Sequence, residues 1–144
     1  MPLTDKLLLL ALMAQVLLTI VILLWMGRER VPRVMRGEID VEAIAVERTA
    51  YPLRARLLSN SFDNQFQLPV LFYVACLLAL QTVTVGWLEI VLAWAFVLLR
   101  IVHAGIHVTT NQVFHRFAAY TAGLAVLCLF WLWLAFRILL APGT

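Results

Sequence analysis

The chain has 144 residues, which is the size of one domain. Hydrophobic residues make up 64% of it and charged residues 13%, whereas soluble domains carry about 25% charged residues. A soluble domain of this length could not bury so much apolar surface, and two cysteines are too few for a disulfide scaffold. The composition therefore excludes a soluble protein or a nucleic-acid-binding module, and the net charge of +3 points to basic residues sorted by membrane side.

Four apolar stretches are each long enough to cross a hydrocarbon core of about 30 Å as a helix. None alternates apolar and polar residues as a strand does, and a helix satisfies its own backbone hydrogen bonds in lipid. The first stretch is too long for a signal peptide and has no small-residue cleavage site after it. We predict one domain, 1–144, with helices at about 7–25, 53–85, 87–108 and 117–140.

The orientation of these helices follows from the arginines in the connections between them. The connection at about 27–52 and the start of the second helix hold seven arginines, and the last connection holds Arg116. Because cytoplasmic connections are enriched in Lys and Arg, we expect both connections in the cytoplasm and both termini outside. The predicted fold is an all-α, four-helix antiparallel membrane bundle. The seven arginines are Arg28, Arg30, Arg33, Arg36, Arg48, Arg54 and Arg56.

Polar residues form a stripe on the second helix and its cytoplasmic extension. Their spacing of 0, 4, 7, 8 and 11 residues keeps them on one helical face. Pro52 suits the start of this helix, and Pro69 is expected to kink it near the end of the stripe. The stripe consists of Arg56, Asn60, Asp63, Asn64 and Gln67.

The third helix carries a second stripe at spacings of 0, 3, 7 and 11 residues, formed by Arg100, His103, His107 and Asn111. Both stripes lie towards the cytoplasmic ends of their helices, so they are expected to meet in a polar cleft together with Arg116. Ionisable side chains in membrane helices usually face such a cleft or a partner. The guanidinium groups would attract an anionic, hydrogen-bonding ligand.

Simpler interpretations of these residues remain open. The amides can link neighbouring helices, and the arginines at 28–36 can contact lipid phosphates. Arg100 needs a partner, for which Asp63 or Glu89 is available, although Glu89 lies near the outer interface and is expected to be solvated or at headgroup level. His103 and His107 have metal-ligand spacing, but no third ligand is evident, so no metal is expected.

Two segments resemble a known family. The segment RLLSNSFDNQFQLPVLF, residues 56–72, resembles the second-helix motif of the MAPEG proteins, the membrane-associated proteins in eicosanoid and glutathione metabolism. That motif has Arg, an Asn four residues on, an acidic residue three further, then Pro and Phe. The segment WAFVLLRIVHAGIH, residues 94–107, continuing to Asn111 and Arg116, is similar to the third helix of the family's shorter bacterial branch.

The resemblance implies a homotrimer that binds glutathione as co-substrate between subunits, near the cytoplasmic face. In enzymes of the family, Arg and Asn of helix two and tyrosines of helix three hold the tripeptide, and an Arg near the start of helix four stabilises its thiolate. Carried over, the ligand-binding residues are Arg56, Asn60 with Asp63 or Asn64, and the histidines at 103 and 107, which replace the tyrosines. The catalytic residue is Arg116. Gln67 is the alternative to Asp63 at the acidic position, and Arg100 and Asn111 complete the predicted set.

The function expected from the resemblance is a transferase or peroxidase that activates the glutathione thiol against lipophilic electrophiles or peroxides. Membrane lipid is an expected partner, and the expected location is a bacterial inner membrane. The alternative is a non-enzymatic protein of the same fold that binds lipid or a partner helix. A small multidrug-type transporter fits less well, because the first helix offers only Gln15 and no carboxylate for proton coupling.

Overall fold

The computed structural model describes residues 1–45 and 49–140, and Arg48 of the predicted first connection lies outside this part. The described residues form helices and no strand. The elements in chain order are α1 (Leu3–Met35), α2 (Val41–Ile44), α3 (Leu53–Asp63), a 3₁₀ turn (Asn64–Phe66), α4 (Leu68–Thr82), α5 (Trp87–Val108) and α6 (Val113–Leu139).

Four spans of the chain are long and apolar enough to cross a membrane, which confirms the predicted all-α membrane bundle. They are Leu3–Met35, Leu53–Thr82, Trp87–Val108 and Val113–Leu139. Helix α5 packs against α6 and α1, while α4 packs mainly against α6 and α1. Many large apolar side chains on the outside of the bundle are exposed, as a lipid-facing surface requires.

The core joins the halves of the four spans that lie away from the arginine-rich end. Phe72 of α4 and Phe96 of α5 are fully buried and their rings stack, with the centroids 4.7 Å apart. Small residues beside them, including Ala75, Ala79 and Ala93, are also fully buried. Small side chains let membrane helices approach closely. This matters because the hydrophobic effect does not drive helices together in lipid, so their association depends on close packing.

Helix α1 begins four residues before the predicted first span and ends ten residues after it. Hydropathy marks only the part of a helix inside the membrane, and α1 continues beyond Trp25 through polar residues that favour helix. An ion pair between Arg33 and Glu29, 3.6 Å apart, links positions i and i+4 in this extension. The helix ends before Gly37, which has a φ of 70°. The predicted connection at 27–52 is therefore helical over its first nine residues.

The second span is interrupted where Pro69 predicts a kink. Helix α3 begins directly after Pro52, and the 3₁₀ turn leads to Gln67, whose φ of −100° and ψ of −104° are not helical. Pro69 stands in the first turn of α4, where its missing N–H leaves no hydrogen bond unmade. The span is therefore two helices joined by a break rather than one continuous helix over 53–85.

The end of the bundle away from the arginine-rich connection holds a buried carboxylate. Glu89 has no exposed surface, and its carboxylate accepts hydrogen bonds from Arg137 Nη1 at 2.6 Å, Trp133 Nε1 at 3.0 Å and the Gly86 backbone N–H at 3.0 Å. Glu89 is therefore buried by protein rather than solvated, which is contrary to that part of the expectation. Two of the donors come from α6, more than forty residues away in sequence. The place of Glu89 near a helix end does not reveal such donors.

Candidate functional site

A polar cavity of about 460 Å³ lies between α3, α5 and α6 at the arginine-rich end of the bundle, where α1 ends and α3 begins. The α3 wall and the 3₁₀ turn contribute two amides and a carboxylate, α5 contributes two histidines, and α6 contributes a guanidinium. The lining residues are Asn60, Asp63, Asn64, His103, His107, Val113, Arg116, Phe117 and Tyr120. Three residues of the first predicted stripe and two of the second therefore line one cavity.

The turn between α5 and α6 positions Arg116. Asn111 adopts a φ of 48°, a left-handed conformation that Asn tolerates, and its backbone N–H donates to the Ile106 carbonyl at 2.7 Å. Helix α6 then begins at Val113, four residues before the predicted span, so that Arg116 lies in its first turn. Arg116 Nη1 donates to Asn111 Oδ1 at 2.7 Å. Asn111 therefore orients the guanidinium instead of lining the cavity.

His103 and His107 lie one turn apart on α5, and each is only 3% exposed. Their rings meet edge to face with centroids 5.7 Å apart, and the His103 ring lies 5.8 Å from the ring of Tyr120. His103 Nδ1 and both ring nitrogens of His107 have no hydrogen-bond partner in the described part of the chain. Buried polar atoms without partners are costly, so this wall of the cavity has unmet hydrogen-bonding capacity.

Arg100 lies behind the α3 wall and is 1% exposed. Its Nη2 donates to the backbone carbonyl of Asn64 at 3.0 Å, while the Asn64 side-chain amide donates to the Asn60 carbonyl at 2.9 Å. The expected partner of Arg100 was Asp63 or Glu89. The observed partner is instead the backbone carbonyl of Asn64 at the helix break. Its Nε and Nη1 have no partner among the described residues.

The charges around the cavity favour an anion. In the described part of the chain, neither Arg100 nor Arg116 forms an ion pair with a carboxylate, and each donates instead to a neutral oxygen. Positive charge left uncompensated in an apolar bundle attracts negatively charged ligand groups. Within residues 1–45 and 49–140, no three His, Cys, Asp or Glu side chains come close enough together to hold a metal ion.

The sequence profile of the MAPEG family matches residues 8–143, which include the cavity and nearly all of the four spans. The chain belongs to the MAPEG family. No curated protein and no solved structure matches it. The family consists of membrane proteins related to glutathione and eicosanoid metabolism, which agrees with a bundle of membrane-spanning helices that holds a polar cavity.

The structure separates the ten predicted site residues into two groups. Six of them line the cavity: Asn60, Asp63, Asn64, His103, His107 and Arg116. Four do not: Arg56 is half-buried on α3, Gln67 is exposed at the break, Arg100 lies behind the wall, and Asn111 lies beside Arg116. Of the two candidates for the family's acidic position, Asp63 therefore lines the cavity in this MAPEG chain and Gln67 does not.

Tyr120 lines the cavity and was not predicted from the sequence. It follows Arg116 by four residues on α6, and that spacing places both side chains on the same helical face. A tyrosine within an apolar helix attracts no notice by itself, and α6 carries no polar stripe comparable to those on the second and third spans. The spacing from Arg116 was the available signal.

Proposed function

We propose that this MAPEG protein is a membrane enzyme that binds glutathione in the cavity and activates its thiol against lipophilic electrophiles or peroxides. The observation that carries the proposal is Arg116, a guanidinium on the cavity wall whose hydrogen-bond partner is the neutral amide of Asn111. Family membership supports glutathione as the ligand. The cavity volume of about 460 Å³ falls within the range of about 300–1,000 Å³ typical of small-molecule sites.

The ligand's groups match the wall. Glutathione has two carboxylates, an ammonium group and two amides, and the cavity offers a guanidinium, a carboxylate at Asp63 and the amides of Asn60 and Asn64. The buried ring nitrogens of His103 and His107 supply further donors and acceptors. Each group of the tripeptide therefore has a complementary partner type, which is what a site needs in order to orient a flexible ligand.

Arg116 would act on the thiol by electrostatics. A free thiol has a pKa of about 8.5, so it is mostly protonated at neutral pH. A guanidinium within about 4–6 Å in a partly desolvated site lowers such a pKa by about 1–3 units. The bound thiol would then have a much larger thiolate fraction at neutral pH than free glutathione, and the sulfur would attack an electrophile or peroxide that enters from the bilayer.

The test is Arg116→Leu, compared with Arg54→Leu, which removes an exposed arginine of α3 outside the cavity. In detergent, wild-type protein and Arg54→Leu should show the ultraviolet absorbance of thiolate when glutathione is added. Arg116→Leu should lose most of that absorbance per bound ligand, while affinity falls less, because the amides and histidines still hold the ligand. Absence of both binding and thiolate absorbance in the wild type at millimolar glutathione would refute the enzymatic proposal in favour of a non-enzymatic role.

The proposal includes a homotrimer in a bacterial inner membrane, with the arginine-rich end in the cytoplasm. Support for the trimer comes from the family and from polar side chains that one chain leaves exposed, namely Asn60 and Gln67. Polar side chains exposed on a membrane span are covered most readily by a symmetric copy of the chain.

A further inference from the structure

A second cleft, of about 660 Å³, lies along one face of α1, away from the cavity described above. We call it the α1 groove. All of its lining residues belong to α1 and follow one another along a single face of the helix. They are Val21, Leu24, Trp25, Arg28, Glu29, Pro32, Arg33 and Arg36. The proposed function uses none of them.

The lining of the α1 groove changes from apolar to cationic along the helix. Val21 and Leu24 are 48% and 63% exposed, and they lie within the apolar part of the span. Trp25 follows, a residue type that favours the membrane–water interface. At 1.5 Å per residue, Arg28 lies about 6 Å further along the axis than Leu24, and Arg36 about 18 Å further. The groove therefore runs from acyl-chain depth to headgroup depth and beyond.

The cationic half of the groove has more positive than negative charge. Glu29 is shared by Arg33 at 3.6 Å and Arg54 at 3.5 Å, and Arg36 pairs with Glu38 at 2.6 Å. Four arginines and two glutamates meet there, once Arg28 is included, so the local net charge is +2. Arg28 makes no side-chain hydrogen bond or ion pair within the described part of the chain.

We infer that the α1 groove binds one anionic phospholipid, whose phosphate lies at Arg28 and whose acyl chain lies along Val21 and Leu24. The order of apolar, aromatic and cationic side chains matches the order of acyl chain, glycerol and phosphate in such a lipid. Arg28 supplies the unpaired guanidinium, and Arg36 and Arg33 add to the local potential. A zwitterionic lipid would leave the excess charge uncompensated.

Arg30 provides a matched control on the same helix. Its guanidinium does not line the groove and instead lies over the ring of Tyr51, 4.0 Å from the centroid. Arg30→Gln therefore removes the same charge at the same depth from a different face. Arg28→Gln and the double variant Arg28→Gln/Arg36→Gln remove charge from the groove, and a thermal scan in detergent verifies that each variant folds.

The experiment measures lipid retention by native mass spectrometry after exchange into mild detergent with equal amounts of phosphatidylglycerol and phosphatidylcholine. Wild-type protein and Arg30→Gln should retain phosphatidylglycerol in preference to phosphatidylcholine, with about one molecule per chain. The double variant should lower that preference roughly tenfold or more, and Arg28→Gln should account for most of the loss. Inorganic phosphate should not displace the lipid, because it lacks the acyl chain.

Three results would overturn the inference. The first is that the wild type retains the two lipids equally. The second is that Arg30→Gln loses as much preference for phosphatidylglycerol as the double variant. In the third, a cysteine at position 28 would form a disulfide between chains in the intact membrane, which would mean that a second copy of the protein covers the groove. None of these outcomes depends on whether the protein binds glutathione.

Discussion

Three arginines in the bundle differ in what compensates their charge. Arg137 pairs with the buried carboxylate of Glu89 at 2.6 Å. Arg116 donates to the amide of Asn111 and Arg100 to the backbone carbonyl of Asn64. A charge in an apolar environment is costly unless it is paired, so only the first of these arrangements is self-sufficient. The other two lie at or behind the cavity wall, which is where an anionic ligand would complete them.

Arg100→Met tests whether this buried charge serves the fold or the ligand. Without ligand, we expect the melting temperature to stay the same or rise, because the change removes an uncompensated buried charge at the cost of one hydrogen bond, about 1 kcal/mol. The stabilisation that glutathione gives should shrink, because the positive potential behind the cavity is lost. Thermal scans with and without glutathione measure both effects, with Leu99→Met as the control. A large loss of stability without ligand would mean that Arg100 supports the fold itself.

The sequence predicted the two polar stripes because helical periodicity is visible in spacing alone. It placed Asn60, Asp63, His103 and His107 on faces that do meet at one cavity. It failed for Glu89, whose burial depends on donors from α6. Contacts between residues far apart in sequence leave no periodic signal, so the partner of a polar residue near a helix end must be read from the folded chain.

The second span depends on contacts with α1 at its break. Gln15 Nε2 of α1 donates to Gln65 Oε1 at 3.0 Å, and Gln65 Nε2 donates to the Ser61 carbonyl at 3.1 Å. Both glutamines are at most 1% exposed. Gln65 lies in the 3₁₀ turn between Asn64 and Phe66, so this bridge between helices fixes the turn that presents the Asn64 carbonyl to Arg100. From the sequence, Gln15 was interpreted only as a possible transport residue, and Gln65 carried no prediction.

Gln15→Leu should destabilise the protein by about 1–3 kcal/mol, because it leaves the Gln65 amide buried without its donor. Gln15→Leu/Gln65→Leu should cost less than the sum of the single changes, since both polar groups are then removed together. Unfolding in mixed detergent micelles measures each free energy, and Thr82→Val, an exposed position on α4, serves as the control. Strict additivity of the two changes would mean that the glutamines do not stabilise one another.

The helices' apolar parts and kinks were predictable, but their ends were not. Hydropathy gives the length that crosses a membrane, and Pro69 gives the place of the break. The continuation of α1 to Met35 depends instead on helix-favouring polar residues and on the ion pair of Arg33 with Glu29. A hydropathy pattern does not detect either of these. As a result, the basic residues that determine orientation lie largely on a helix and not in a loop.

The orientation of the whole molecule is tested with a cysteine at Ala43, an exposed residue of α2 close to the basic residues. In a Cys128→Ser background, we expect Ala43→Cys to be protected from an impermeant maleimide in intact cells and labelled after the cells are opened. The reason is the excess of arginine at this end of the bundle. Ready labelling in intact cells would reverse the orientation. A cysteine at position 4, near the opposite end, is the complementary control.

Arg56 connects the single-chain cavity to the proposed trimer. Its guanidinium is half-buried, lies outside the cavity of its own chain, and makes no side-chain hydrogen bond or ion pair with the described residues. In a symmetric ring, such a side chain can serve the cavity of the neighbouring chain, whereas Arg116 serves its own. We therefore expect Arg56→Leu and Arg116→Leu each to show little thiolate absorbance with glutathione when expressed alone. When co-expressed, the two variants should complement each other.

If chains mix at random in a ring, a cavity keeps its own Arg116 and a neighbour's Arg56 in about a quarter of cases, so about a quarter of the wild-type thiolate absorbance per chain should return. The control is co-expression of Arg116→Leu with Asn60→Leu, two changes that affect the same chain's cavity. That mixture should show no more absorbance than the average of the two variants expressed separately, because no cavity then holds both residues. Recovery in neither mixture would place Arg56 in its own chain's site or outside the site altogether, and the cavity would then be complete within one chain.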